Sequence, residues 1–341
     1  MRKRLIMFVL IFTAAVLLTG DAGALTRERK AIITLEVSLK APADANEVRL
    51  WLPYPLSDEN QTVEDVKVSG NFAGSGVYRE GEHGNIALYA EWNGNPPERL
   101  LTYTFTISRK EAVRMDFPAK ELLFSSTEFR EYLKPTSLAP VDGKVRALAE
   151  KITKGKKTNR AKARAIYDWI VNNMHRDPNV KGCGYGDVEK LLVTLGGKCG
   201  DIHSVFVALA RSVGVPAREI NGIRIPKGKE GEMTKAQHCW AEFYMPGYGW
   251  VPVDPSDVRK AMLEKKITDP KDIKDLVEYF FGSVEENRIA YQSGKDVLLS
   301  PAQKNGRLAY FMYPYAEADG KALNEDLFGF NLGYKITFKE I

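Results

Sequence analysis

Three observations predict an α+β protein built in two parts from the 341-residue sequence. Residues 25–118 alternate apolar and polar side chains in short runs, the period of half-buried strands. From residue 141 the apolar spacing becomes helical. Near residue 237 it returns to two strand-like runs, joined by Met245-Pro246-Gly247-Tyr248-Gly249. The length allows two domains. A composition of 44% hydrophobic and 27% charged residues is ordinary for a chain with a sizeable core.

The first strand takes one apolar face from Ile33, Leu35, Val37 and Leu39. Val48 to Leu52, Val63 to Val68, Ile86 to Trp92 and Leu101 to Ile107 supply the others. Gly70, Gly74, Gly76, Gly94 and Pro96-Pro97 mark turns between them. Short strands at this spacing predict a β-sandwich over 25–118. Residues 119–140 read as a connector, and 141–341 as the second domain. In it, a helix over 141–154 precedes one capped by Thr158, with Ile166, Trp169 and Ile170 facing inward. A short helix from Asp187 through Leu192 stops at Gly196-Gly197. Ile202, Phe206, Leu209 and Val213 then form the apolar stripe of a helix beginning beside Cys199, and Gly214 ends it. Ala217 to Ile225 reads as a strand and 226–236 as a loop before the two final strand-like runs.

Residues 1–24 have the form of a secretory signal: a basic head, an apolar run from Leu5 to Leu18, and a small-residue end at Ala22-Gly23-Ala24. The run is short for a bilayer span. The expected location is therefore outside the cytoplasm, periplasmic or extracellular, with no integral membrane segment after cleavage. The formal net charge is +5. Arg2, Lys3, Arg4 and Asp21 contribute +3 − 1 = +2 of it, which leaves +3 for the remainder. That is too little to argue for a nucleic-acid partner.

Three residues lie in contexts that suit chemistry. Cys199, in Gly-Gly-Lys-Cys-Gly-Asp, is placed at a helix start. There unpaired amides and the helix dipole favour a thiolate, and the Cys199 amide can serve a developing oxyanion. His238 opens His-Cys-Trp-Ala-Glu-Phe-Tyr, and Asp254 closes Gly-Trp-Val-Pro-Val-Asp-Pro. With a turn centred near residue 247 or 248, these two lie on adjacent antiparallel strands, offset by roughly three residues, or about 10 Å. In this arrangement His238 takes the thiol proton and later protonates a leaving amine, and Asp254 orients the ring. Other readings stand beside it. Taken singly, Cys199 reads as a small buried hydrophobe, and Asp254 before Pro255 as a turn residue. His203, one helical turn after Cys199, competes as base or supports the site. Cys183 and Cys239 either pair or stay buried. Zinc is disfavoured, because no paired-ligand spacing occurs and adjacent His238 and Cys239 point to opposite strand faces.

The cysteine segment, Gly196 through Arg218, resembles the cysteine motif of the transglutaminase-like superfamily. The two other segments resemble its histidine and aspartate motifs, in the same order. The resemblance covers roughly 140–260. Gly282-Ser-Val-Glu-Glu-Asn-Arg-Ile, within 279–315, resembles the C-terminal part of bacterial members. It implies a papain-like core, a cysteine-bearing helix against an antiparallel sheet. It also implies Cys199 as nucleophile, His238 as base, Asp254 as orienting acid, and no cofactor. The activity so implied is thioester-forming attack on amide bonds of peptides, proteins or cell-wall material. An amine resolves the thioester in acyl transfer, and water does so in a peptidase or amidase. A catalytically silent binding scaffold is the reading from a different class.

Overall fold

The computed structural model describes residues 27–341. The expected leader lies outside the described residues. Among the described residues, no helix is long and apolar enough to cross a membrane.

The N-terminal part is all strand: β1 (Glu28–Ser38), β2 (Glu47–Pro53), β3 (Gln61–Gly70), β4 (Gly74–Arg79), β5 (Ile86–Asn93), β6 (Leu100–Lys110) and the short β7 (Ala112–Val113). Strand β4 replaces what the sequence marks as turn at Gly74 and Gly76. It pairs with β5 from Gly74↔Glu91 to Arg79↔Ile86 at the end of its sheet, where strand glycines are tolerated. The helical part follows with α1 (Gly143–Ile152), α2 (Asn159–Asn173), β8 (His175–Arg176), α3 (Val188–Thr194), β9 (Gly196–Gly197) and α4 (Cys199–Ser212). The Thr158 hydroxyl accepts from the Ala161 amide at 3.1 Å, the cap expected for α2. The chain continues through β10 (Ala217–Arg224), β11 (Glu230–Glu232), β12 (Gln237–Met245), β13 (Gly249–Val253), α5 (Pro255–Lys265), α6 (Lys274–Tyr279), β14 (Ser283–Val284) and β15 (Arg288–Ser293). It ends with β16 (Tyr315–Ala318), β17 (Lys321–Ala322) and β18 (Tyr334–Glu340).

Helix α4 is buried on every face, not only along the Ile202–Phe206–Leu209 stripe. Several of its other positions are small, including Gly200, Ser204, Ala208 and Ala210, and α1, α2, α3, β12 and β10 all pack against it. The antiparallel sheet behind it has the order β13-β12-β10-β15. One apolar core joins these helices to that sheet. The predicted arrangement, a cysteine-bearing helix against an antiparallel sheet, is present.

The sandwich consists of two five-stranded sheets, β11-β18-β1-β6-β3 and β17-β16-β2-β5-β4. Its core interleaves Leu35, Val37 and Phe105 with Val48, Leu50 and Trp92. The sheets take strands from both sides of the division drawn from sequence at residue 141. Ile336 lies opposite Leu35 and Phe338 opposite Ile33, while Tyr315 lies opposite Trp51. The C-terminal strands, with β11 from within 226–236, therefore complete the N-terminal sheets. A period-two pattern in β18 specifies a strand but not its partner.

Candidate active site

Cys199 is the first residue of α4. The backbone ahead of the helix is tied down by Asp201, whose carboxylate accepts from the Lys198 amide at 3.0 Å and the Gly186 amide at 2.9 Å. The 182–186 loop is thereby drawn over the helix start, where the Gly200 amide donates to the Cys183 carbonyl at 2.7 Å. Gly200 is required by that approach, since a Cβ there would lie 2.7 Å from the Cys183 oxygen. Helix propensity alone favours Gly200→Ala by ~1 kcal/mol. The steric term outweighs it, and the variant should lose about 1–3 kcal/mol. A thermal melt, with faster alkylation of Cys183 as the loop lifts, checks this.

His238 follows the first residue of β12, and Asp254 follows the last of β13. The observed register, Ala241↔Val253, offsets them by two residues. Asp254 is not a simple turn residue. It is the N-cap of α5, with Pro255 at the first helical position and the Asp257 amide donating to Oδ1 at 2.8 Å. Leaving the strand there aims the carboxylate back at His238, whose Nε2 donates to Oδ2 at 2.8 Å. That contact leaves Nδ1 of the ring for the thiol.

The surroundings of Asp254 include groups that the motifs do not announce. Arg288, 0% exposed, donates from Nη1 to Asp254 Oδ2 at 2.7 Å and from Nη2 to Asp257 Oδ2 at 2.7 Å. Glu285 lies 2.6 Å from the same guanidinium, and Arg224 also pairs with Asp257. His203 donates from Nε2 to Asp254 Oδ1 at 3.1 Å, while its Nδ1 is 3.4 Å from Cys239 Sγ. Arg288 falls inside the Gly282–Ile289 segment, but nothing in that one-dimensional spacing marks an arginine as wholly buried. Trp240 packs into a small core with Ala112, Ile220 and Val284, and Trp250 meets Tyr132 edge to face.

Burial opposes ionisation of Asp254, but His238, Arg288 and His203 outweigh it and hold the carboxyl well below the usual carboxylate range. Cys199 is likewise pulled well below the ordinary thiol range. The largest causes are hydrogen bonds from the Cys183 and Cys239 thiols, which overcome burial, and His238 adds its charge and a hydrogen bond. All three cysteines are free and buried. Cys183 Sγ is 3.3 Å from the Gln237 carbonyl. His238, Asp254 and Asp257 are the one cluster of potential metal ligands among the described residues. Arg288 and Arg224 already supply the positive charge that their carboxylates need.

Comparison with known proteins agrees with this architecture. Residues 146–255 match the model of the transglutaminase-like superfamily. An uncharacterized protein of Haemophilus influenzae is 40% identical over 306 residues, covering 82% of each chain. The chain belongs to the transglutaminase-like superfamily. An uncharacterized Bacillus subtilis protein is 29% identical over 247 residues, 61% of this chain and 32% of its own length. Among solved structures, a candidate cysteine protease from Cytophaga hutchinsonii superposes with a TM-score of 0.53 at 17% identity, over 92% of this chain and 98% of that one. That likeness extends the shared fold beyond the matched core of this transglutaminase-like chain to nearly its whole length. The matched core contains Cys199, His203, His238 and Asp254. Arg288 lies beyond it.

Proposed function

We propose that this protein is an exported cysteine-dependent acyl-transfer enzyme that attacks amide bonds of peptides, proteins or cell-wall material. The observation that carries the reading is the 2.8 Å contact of His238 with the buried Asp254 carboxylate, beside a thiol at the start of a buried helix. The Cys199 thiolate attacks the amide carbonyl, forming a C–S bond and an oxyanion. Collapse of that intermediate breaks the C–N bond, and His238 passes its proton to the departing amine. The acyl group is left as a thioester, which a second amine or water resolves. Cys199 is 1% exposed, so acylation requires that the residues covering it move aside.

The test supplies a glutamine-containing peptide and a fluorescent primary amine to the leader-free protein. Amine incorporation indicates transfer, and free acid with released ammonia indicates hydrolysis. Cys199→Ala should abolish both, and full activity in that variant rejects the proposal. Residues 1–24 are proposed to be removed on export. An N-terminal peptide beginning after Ala24, in protein recovered from outside the cytoplasm, is the expected result.

A further inference from the structure

The side chains of β12 divide between two faces of its sheet. Ala241 and Phe243 enter the core shared with α4, so Trp240 and Glu242 point away from that helix. On that outer face, a cavity of about 410 Å³ is bounded by the sheet and by the segments bearing Asn60, Arg109 and Arg114. The volume is that of a small-molecule site. Ile220, Trp240, Val284 and Pro252 give it apolar walls. None of Cys199, His238 and Asp254 lines it.

One cation in this cavity is short of partners. Arg109 is 3% exposed, and its Nε donates to the Arg288 carbonyl at 2.6 Å. Its two Nη groups have no hydrogen-bond or ion-pair partner among the described residues. The other charges on the walls are already engaged. Arg218 pairs with Glu242 at 2.7 Å and Arg114 with Glu59 at 2.8 Å. Asp58 accepts from the Asn60 and Gln61 amides at 2.7 and 2.9 Å. Burial outweighs the attraction of Asp58 and Glu242, and draws the Arg109 guanidinium below the ordinary arginine range. We propose that this cavity binds a small carboxylate with an apolar body, the two Nη groups of Arg109 gripping the carboxylate while Trp240 and Ile220 cover the rest. The guanidinium fork matches the two oxygens of a carboxylate. Three carboxylates on the walls repel a second negative charge, which disfavours a phosphate monoester. An acylated amino acid and a peptide C-terminus share this chemistry. The site stands whether or not Cys199 transfers acyl groups.

The experiment titrates the protein with N-acetyl-leucine by calorimetry. The companion probes are N-acetyl-leucinamide, neutral and nearly the same in shape, and a tripeptide of two glycines and a C-terminal leucine. The acid should bind about tenfold or more tightly than the amide. Arg109→Met should lose that preference, and Arg109→Lys, which keeps the charge without the fork, should keep only part of it. Equal binding of acid and amide overturns the proposal, as does an unchanged preference in folded Arg109→Met. So does an absence of binding by the acid at about 10 mM. A readout in the unaltered protein covers a variant that does not fold. Of the five tryptophans, Trp240 and Trp250 line the cavity. Their indole ¹⁵N–¹H resonances should move on adding the acid, while those of Trp51, Trp92 and Trp169 stay in place. Binding that leaves both Trp240 and Trp250 unmoved also overturns the site. The tripeptide separates the two sources. Binding like that of N-acetyl-leucine supports a cavity for peptide ends, and binding of N-acetyl-leucine alone supports one for a free small acid.

Discussion

Asp254→Asn is expected to cut the rate of Cys199 acylation by on the order of 10⁴-fold while leaving the protein folded. Asparagine caps a helix as well as aspartate does, so the Asp257 amide keeps its acceptor and α5 keeps its start. What changes is charge and tautomer. An amide presents one acceptor and one donor where the carboxylate presents two acceptors, so His238 Nε2 and His203 Nε2 cannot both donate to it. If the amide NH₂ faces His238, the ring proton moves to Nδ1 and the nitrogen left for the thiol is no longer a base. The loss that follows a wrong tautomer in a triad sets the magnitude. The rate of amine incorporation, with circular dichroism to establish the fold, checks it. A fall of tenfold or less would mean that Asp254 acts as a cap and ion-pair partner and not as the orienting acid.

Arg288→Met should be the most damaging single change to stability, at about 3–5 kcal/mol. The methionine fills much of the space but leaves the buried Asp254 without its arginine and Asp257 with Arg224 alone, and Glu285 beside them. A drop in melting temperature on the order of 10 °C is the expected readout. Its pH dependence carries a sign. Asp254 is held below the usual carboxylate range, so its ionisation contributes stability at pH values above its unfolded value, about 3.9. That contribution is lost as pH falls through the folded value. Removing Arg288 weakens the downward pull, so the variant should lose this contribution at a higher pH than the unaltered protein. Its deficit should also be larger at pH 7 than at pH 4. A deficit that is the same at both would locate the cost in packing alone.

The three residues named from sequence come together because each is announced by a local pattern: a glycine-flanked helix start, a strand opening and a strand end. Sequence left them about 10 Å apart along the strands, since it treated Asp254 as strand or turn. The Asp-Pro pair was in fact a helix start, N-cap followed by Pro at the first position, and α5 is what turns the carboxylate inward. Arg288 and Asp257 were illegible for another reason. Arginine and aspartate are ordinarily exposed, and only the folded arrangement pairs them out of water. His203 was noticed for its helical spacing from Cys199, but its partners lie on β12 and at the start of α5, contacts between elements that spacing along one helix does not contain.

The pairing of β1 with β18 and of β2 with β16 also bears on the order in which the molecule can assemble. The strand made first waits for the strand made last, with nearly the whole chain between them. Until β18 emerges, β1 has only β6 beside it and an open edge. The helices around α4 draw on contacts nearer in sequence and are free to gather earlier. The apolar core between these helices and their sheet is therefore expected to form before the sandwich closes, whereas Cys199 packs with sandwich residues and is enclosed only then. Loss of the last few residues should leave a chain whose first strand adheres to its neighbours.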